Sequence, residues 1–292
     1  MIKKMIFSVV ALSALITSCS SDDDSLVLLP GAQTSDLTLN LNGLEALGDD
    51  FVYEGWIIVD GEPVSTGTFS SVTFPQTFSV NTAQLNAATT FVLSIEPAID
   101  LDPAPADTKI LVGDFSGDTA NVNSGIVGDF SNAAGAFFLR TPTDETGTNN
   151  GNDQYGVWFG TLGMPPVSNF NLPELPDGWA YEGWVVGDSG PLTTGRFNVF
   201  NMADDSAPFS ETSQAGPPIP GEDFFINAPM GETFPLDIRN RTVVISVEPV
   251  PDNSPAPFSI KPLLGTAGME TAPSTHNFMQ NLNSLPTGMV TR

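Results

Sequence analysis

Residues 53–69 read YEGWIIVDGEPVSTGTF, and residues 181–197 repeat them without a gap as YEGWVVGDSGPLTTGRF. Side chains alternate along this stretch, so that Tyr53 and Ile57 point to one face of an extended strand and Trp56 to the other. The Asp-Gly pair that follows predicts a tight hairpin turn, after which the chain returns as a partner strand. The stretch therefore predicts a β-hairpin, and its repetition predicts that a whole structural unit recurs.

A second block recurs in the same order. FVLSIEPAIDLDPAPADTKILVG at residues 91–113 aligns without a gap with VVISVEPVPDNSPAPFSIKPLLG at residues 243–265. A proline after Glu96 and another after Glu248 end each strand, because proline cannot donate to a central β-ladder. The second copy has a longer connection between its two blocks, and its proline and glycine content predicts a long loop at 198–242.

These patterns predict an all-β protein with two tandem antiparallel β-sandwich domains after a lipoprotein signal peptide. The first domain is expected at residues 36–125 and the second at residues 126–292. With 27 glycines and 25 prolines between short alternating runs, the sequence gives few helix signals.

The N-terminus reads MIKKMIFSVVALSALITSC and is typical of a signal peptide at residues 1–18, with Lys3 and Lys4 before an apolar stretch too short to span a bilayer. LITSC resembles the lipobox of bacterial lipoproteins, which implies that Cys19 is acylated and inserted in a lipid membrane. The alternative is an ordinary signal peptide with a chance cysteine. Cys19 is the only cysteine, so the chain can form no internal disulfide.

Residues 19–35 are predicted to be a lipidated tether. Its run SSDDD resembles the acidic tether of surface-exported lipoproteins of Bacteroidetes-type bacteria. This resemblance implies an outer-membrane protein whose body faces the cell surface. The alternative is that the run is a solvated spacer and that the body faces the periplasm.

The order of the repeated motifs resembles the C-terminal domain of anti-sigma-K factors. That domain has an aromatic-x-x-Trp strand, a hairpin like GxPVSxGxF, a strand ending in EP, a proline-rich turn and a closing xxLxG strand. The resemblance covers about 60 residues of each copy and implies a β-sandwich outside the cytoplasmic membrane. Anti-sigma factors of this kind also have a cytoplasmic sigma-binding domain and a transmembrane helix, for which we see no counterpart. We therefore expect the fold to carry over but not the regulatory output.

Charge and residue content argue against several functions. The chain has 34 acidic and 9 basic residues, which makes a nucleic-acid partner unfavourable. The single histidine, His276, cannot supply a zinc site, and nothing pairs it with a nucleophile. We therefore predict a protein that is not an enzyme and needs no cofactor.

Four glutamates occupy equivalent positions, Glu54 with Glu182 and Glu96 with Glu248, and paired carboxylates could serve a glycosidase. We prefer a structural role, because beyond the signal peptide the chain has only two lysines, Lys109 and Lys261, at one equivalent position. The sequence thus predicts two structural ion pairs, Glu96 with Lys109 and Glu248 with Lys261.

Two further ligand sites are open at this stage. Calcium binding is an alternative to the prediction that the protein needs no cofactor. Oxygen ligands are frequent in residues 113–123, 144–153 and 203–206, although none of these segments matches the twelve-residue calcium loop. The recurrence of Trp56 and Trp184 argues for packing, whereas Trp158 and Trp179 could form a sugar-binding platform.

The preferred function is a surface-anchored, non-enzymatic lipoprotein that acts in binding or envelope structure through an unidentified extracellular or envelope ligand. One alternative is an extracytoplasmic sensing module that acts in trans on anti-sigma regulation. A weaker alternative is a glycan-binding or glycan-active protein.

Overall fold

The computed structural model describes residues 33–252 and 254–292, so the predicted signal peptide and Cys19 lie outside the described residues. Among the described residues the one α-helix, α1, is Thr82–Ala87, and no helix there is long and apolar enough to cross a membrane. The strands are β1 Thr34–Asn42, β2 Phe51–Val59, β3 Glu62–Phe69, β4 Gln76–Asn81, β5 Thr90–Pro97, β6 Lys109–Ser116, β7 Thr119–Asn123, β8 Ala136–Phe138, β9 Gly156–Phe159, β10 Trp179–Val186, β11 Pro191–Phe197, β12 Gly221–Asp223, β13 Thr242–Pro249, β14 Leu263–Thr266, β15 His276–Asn277, β16 Met279–Gln280 and β17 Thr287–Thr291.

The strands form three antiparallel sheets, which confirms the prediction of an all-β fold. The largest has eight strands in the order β3-β2-β5-β6-β7-β17-β1-β4. The second has the order β11-β10-β13-β14-β16, and the third has the order β12-β9-β8-β15.

The eight-stranded sheet curls until its two edge strands, β3 and β4, approach each other. Phe69 on β3 and Phe78 on β4 bring their ring centroids to 5.7 Å. Strand β17 inserts between β7 and β1, with Thr291 opposite Thr38 on β1 and Thr119 on β7. This sheet is therefore a nearly closed barrel, and a strand from the range predicted for the second domain completes it.

The strands that contain the first pair of sequence blocks have the order β3-β2-β5-β6, and those that contain the second pair have the order β11-β10-β13-β14. Both hairpins shift register at the same point, between Gly55 and Trp56 in β2 and between Gly183 and Trp184 in β10. The repeated Thr-Gly of the return strands lies at these bulges. Its glycine has a φ of +119° in the first copy, a conformation that favours glycine.

The segment at 198–242 is mostly irregular, with one short strand before β13 begins. It contains β12, which pairs with β9, and it buries Phe209 and Phe224 with their rings stacked at 5.7 Å. Prolines and glycines correctly indicated turns, but the apolar residues between them supply enough buried area to fix the segment against the sheet.

One hydrophobic cluster extends through both repeats. It includes Leu93 and Ile95 of β5, Ile245 and Val247 of β13, and Phe137 of β8. The described residues from 33 onward form one compact unit by their contacts. The two repeats therefore share a continuous core, while the domain boundary expected at residue 125 stays a prediction.

Candidate ligand site between the two repeats

A chain of buried hydrogen bonds explains why the Trp of YEGW recurs together with SxEP. In the first copy the Nε1 of Trp56 donates to the hydroxyl oxygen of Ser94 over 2.8 Å, and that hydroxyl donates to the carboxyl group of Glu96. The backbone N–H of Ala106 donates to the same carboxyl oxygen over 2.9 Å. This series of hydrogen bonds links the hairpin, strand β5 and the proline-rich turn that follows it.

The second copy has the same series of hydrogen bonds. The Nε1 of Trp184 donates to Ser246 over 2.7 Å, Ser246 donates to Glu248, and the N–H of Phe258 donates to Glu248 over 2.9 Å. The two serines were not singled out from the sequence. Their identical position in the two aligned blocks is the signal that could have found them.

The two lysines lie at the far side of the same turns. Lys109 donates through Nζ to the carbonyl oxygen of Ala106 over 2.9 Å, and Lys261 donates to that of Phe258 over 2.6 Å. Among the described residues, the four ion pairs within 4.0 Å all use arginine. Each lysine and its predicted partner carboxyl are therefore joined through one residue of the turn and do not pair directly.

The state of the carboxyl groups explains this arrangement. Burial raises the pKa of Glu248 to about 8. The hydrogen bonds from Ser246 and Phe258 lower this pKa, but the effect of burial is larger. Burial also raises the pKa of Glu96. Burial thus disfavours the charged form of both carboxyl groups, which reduces their attraction for an ammonium group, and the lysines bind carbonyl oxygens instead.

A cavity of about 550 Å³ lies where the turns after β5 and β13 approach each other. Both repeats supply its walls at equivalent positions, such as Pro97 with Pro249 and Ala106 with Phe258. The described lining residues are Glu45, Ala46, Leu47, Gly48, Phe51, Ile95, Pro97, Ala106, Asp107, Thr108, Gly178, Pro249, Val250, Pro251, Asp252, Ser254, Pro255 and Phe258. We call this space the inter-repeat cavity.

The two repeats hold each other around this cavity by reciprocal contacts. Glu45, in the loop before β2, accepts a hydrogen bond from the backbone of Ser259 in the second turn. Gly178, just before β10, lies so close to the first turn that a Cβ there would be 2.9 Å from the carbonyl carbon of Asp107. Each loop thus touches the turn of the other copy, which fixes the width of the cavity.

The charges around the cavity are mostly negative. Glu45, Asp107 and Asp252 are its titratable lining residues among those described. Burial raises the pKa of Glu45, while the nearby charge of Lys261 and the bond from Ser259 lower it. Carboxyl groups beside an apolar wall can orient a ligand by charge and hydrogen bonding.

Of the four glutamates at equivalent positions, three are buried and Glu54 is half-buried. Glu96 and Glu248 are 1% and 0% exposed, so their carboxyl groups are not accessible to a substrate. Glu54 and Glu182 accept hydrogen bonds from Ser65 and Thr193 on their neighbouring strands. His276 is also engaged, since its Nδ1 accepts from the N–H of Gly268 and its Nε2 lies 2.9 Å from the carbonyl oxygen of Glu270.

Trp158 and Trp179 are buried, so their rings do not form the exposed sugar-binding platform considered from the sequence. All four tryptophans of the chain, at positions 56, 158, 179 and 184, are at most 3% exposed. Trp158 donates through Nε1 to Asp223 over 2.9 Å, so it packs as a buried, hydrogen-bonded core residue.

The three oxygen-rich segments use their side chains for local bonds. Thr90 donates to Asp114, Asn149 donates to Asp153, and the N–H of Gly221 donates to Asp204. Within the described part of the chain, no group of three Asp, Glu, His or Cys side chains is arranged to hold a metal ion.

A cluster of buried acids was not predicted from the sequence. Glu222 and Asp223 of β12 are fully buried, and burial raises the pKa of Glu222 to about 9 and that of Asp223 to about 7. Nearby Asp204 has a pKa raised by burial to about 8. The fold therefore holds several carboxyl groups in their neutral form near physiological pH.

Comparison with known families gives one match. The family model described as anti-sigma-K factor rskA, C-terminal, matches residues 8–109, about a third of the chain. The matched range includes β1 to β5 and the first residue of β6, so the first repeat contains an anti-sigma-factor-related domain. The comparisons with curated proteins and with solved structures found no match.

Proposed function

We propose that this chain is a lipid-anchored extracytoplasmic binding protein without enzymatic activity, built from two repeats that both resemble the anti-sigma-K C-terminal domain. The observation that carries the proposal is the inter-repeat cavity, whose walls come from equivalent turns of the two copies. A cavity of this size, with apolar walls and few polar groups, is typical of small-molecule sites.

The tandem arrangement is supported by agreement in detail between the copies. The strand order, the bulge after Gly55 and Gly183, and the Trp-Ser-Glu hydrogen-bond chains all recur. Such agreement extends the family likeness of the first repeat to the second.

The anchor is supported by the sequence alone, through LITSC at residues 15–19 and the apolar segment before it. Acylation of Cys19 would hold the protein on the outer membrane, and the acidic tether favours export of the body to the cell surface. The strongly acidic composition suits a solvated extracellular body that does not bind nucleic acid.

We expect Cys19→Ala to abolish incorporation of radiolabelled fatty acid, because the acylated thiol is lost. The Ser21→Ala variant, two residues away, should retain the label. In intact cells, added proteinase should remove the wild-type body from the surface. Retention of label in Cys19→Ala would contradict the anchor, and protection of the body until the cells are lysed would move it to the periplasm.

The family match favours a second candidate, an extracytoplasmic sensing module that acts in trans on an anti-sigma system. Under this candidate, deletion of the gene should change the transcripts of one sigma-factor regulon, and complementation with the wild-type chain should restore them. Under the binding function the transcript profile should stay unchanged, so this measurement separates the two candidates.

A further inference from the structure

We infer that the inter-repeat cavity binds an organic cation that has an apolar body, such as an aryl-alkyl amine. The inference rests on the proposed binding function and adds the chemical class of the ligand. Three features carry it: the size of the cavity, its apolar walls, and the sign of its charged groups.

The size and the walls indicate an organic ligand. The volume of about 550 Å³ lies within the range of sites for drug-sized molecules. Phe51, Ile95 and Phe258 line it together with prolines from both turns. An apolar body that fills this space would remove hydrocarbon surface from water, which favours binding.

The sign of the charge selects among ligands with such a body. The described lining residues include three carboxyl groups and no lysine or arginine. Lys261 interacts with Glu45 from outside the lining set, so one of the three carboxyl groups is already partly compensated. Asp107 and Asp252 take part in none of the four ion pairs described, and they lie on opposite turns. An ammonium group placed between the turns is attracted, and a carboxylate ligand is repelled.

A bare metal ion fits these walls less well than an organic cation. Metal ions need several oxygen ligands in contact, and no group of three such side chains is assembled among the described residues. A hydrated metal ion would also bury no hydrocarbon surface against the apolar walls. The combination of dispersed carboxyl groups and hydrocarbon surface matches a ligand with a charge at one end and a hydrocarbon body.

The test is isothermal titration of the full chain, anchored in nanodiscs of neutral phospholipid, with empty nanodiscs as the blank. The probes share one apolar body: 4-phenylbutylamine, 4-phenylbutanol and 4-phenylbutyrate. We expect the amine to bind at least about fivefold more tightly than the alcohol, because one partly solvated charge pair contributes about that factor. The carboxylate should bind most weakly.

Variants locate the site. Ala46→Trp should fill the cavity from an exposed lining position and abolish binding of the amine. Asp252→Asn should weaken amine binding by about fivefold and leave alcohol binding unchanged. Glu62→Gln removes an exposed carboxylate outside the cavity and should change neither.

Two outcomes overturn the inference in different ways. Equal binding of amine and alcohol that Ala46→Trp abolishes would reject the cation class but keep the binding function and its site. Absence of binding at millimolar concentration, or binding that Ala46→Trp does not affect, would reject the cavity as a ligand site. The results for Cys19 and proteinase accessibility would stand in either case.

Discussion

Replacing Gly178 by alanine should lower the free energy of unfolding by about 3 kcal/mol or more, because two separate costs meet at this residue. Its φ of +86° is unfavourable for any residue with a Cβ. The new Cβ would also lie 2.9 Å from the carbonyl carbon of Asp107 and 3.0 Å from the nitrogen of Thr108. These are backbone atoms of the other repeat, so the two copies must move apart to make room.

Gly61→Ala is the matched control for this prediction. Gly61 has a φ of +89°, but a Cβ there meets nothing within 4 Å. It should therefore show only the conformational cost, about 1 kcal/mol. Denaturant unfolding of both variants measures the difference. If the two substitutions destabilise equally, the contact between Gly178 and the first turn contributes nothing to the packing of the repeats.

The second large effect is a loss of stability as the pH rises. Burial raises the pKa of Glu248 to about 8 and that of Glu222 to about 9, from the ordinary value of 4.5. A group whose pKa is higher in the folded state gives its full stabilisation below the unfolded pKa and loses it as the pH passes the folded pKa. Between about pH 5 and about pH 9 each of these two groups should therefore lower the free energy of unfolding by about 4 to 5 kcal/mol.

Variants identify the responsible groups. Glu222→Gln and Glu248→Gln keep the shape of the protonated side chains, so each should flatten the decline of the melting temperature with pH, and together they should flatten it most. Glu62→Gln, at an exposed position, should leave the slope unchanged. A melting temperature that rises from pH 5 to pH 9 in the wild type would show that these carboxyl groups are ionised in the folded protein.

The sequence predicted those parts of the fold that depend on residues close together in the chain. The alternation in residues 53–59 and the prolines after Glu96 and Glu248 mark strands and their ends, and the structure has them there. The pairing of β17 with β1 could not be predicted in this way, because Thr291 and Thr38 are far apart in the chain and no periodicity relates them.

The candidate site was less predictable than the fold. The equivalent positions of Lys109 and Lys261 led to the prediction of ion pairs with Glu96 and Glu248, whereas both lysines donate to carbonyl oxygens of the turns. That choice depends on the burial of Glu96 and Glu248, which changes their pKa and becomes apparent only when both repeats are packed.

The position of β17 has a consequence for biogenesis. The chain is synthesised from its N-terminus, and the barrel of the first repeat lacks the strand between β1 and β7 until residues 287–291 have been made. Local contacts form early in folding, whereas contacts between chain ends must wait. The N-terminal repeat is therefore the first part to be synthesised and the last to have its sheet completed. Its open sheet edges need protection from other chains during this interval.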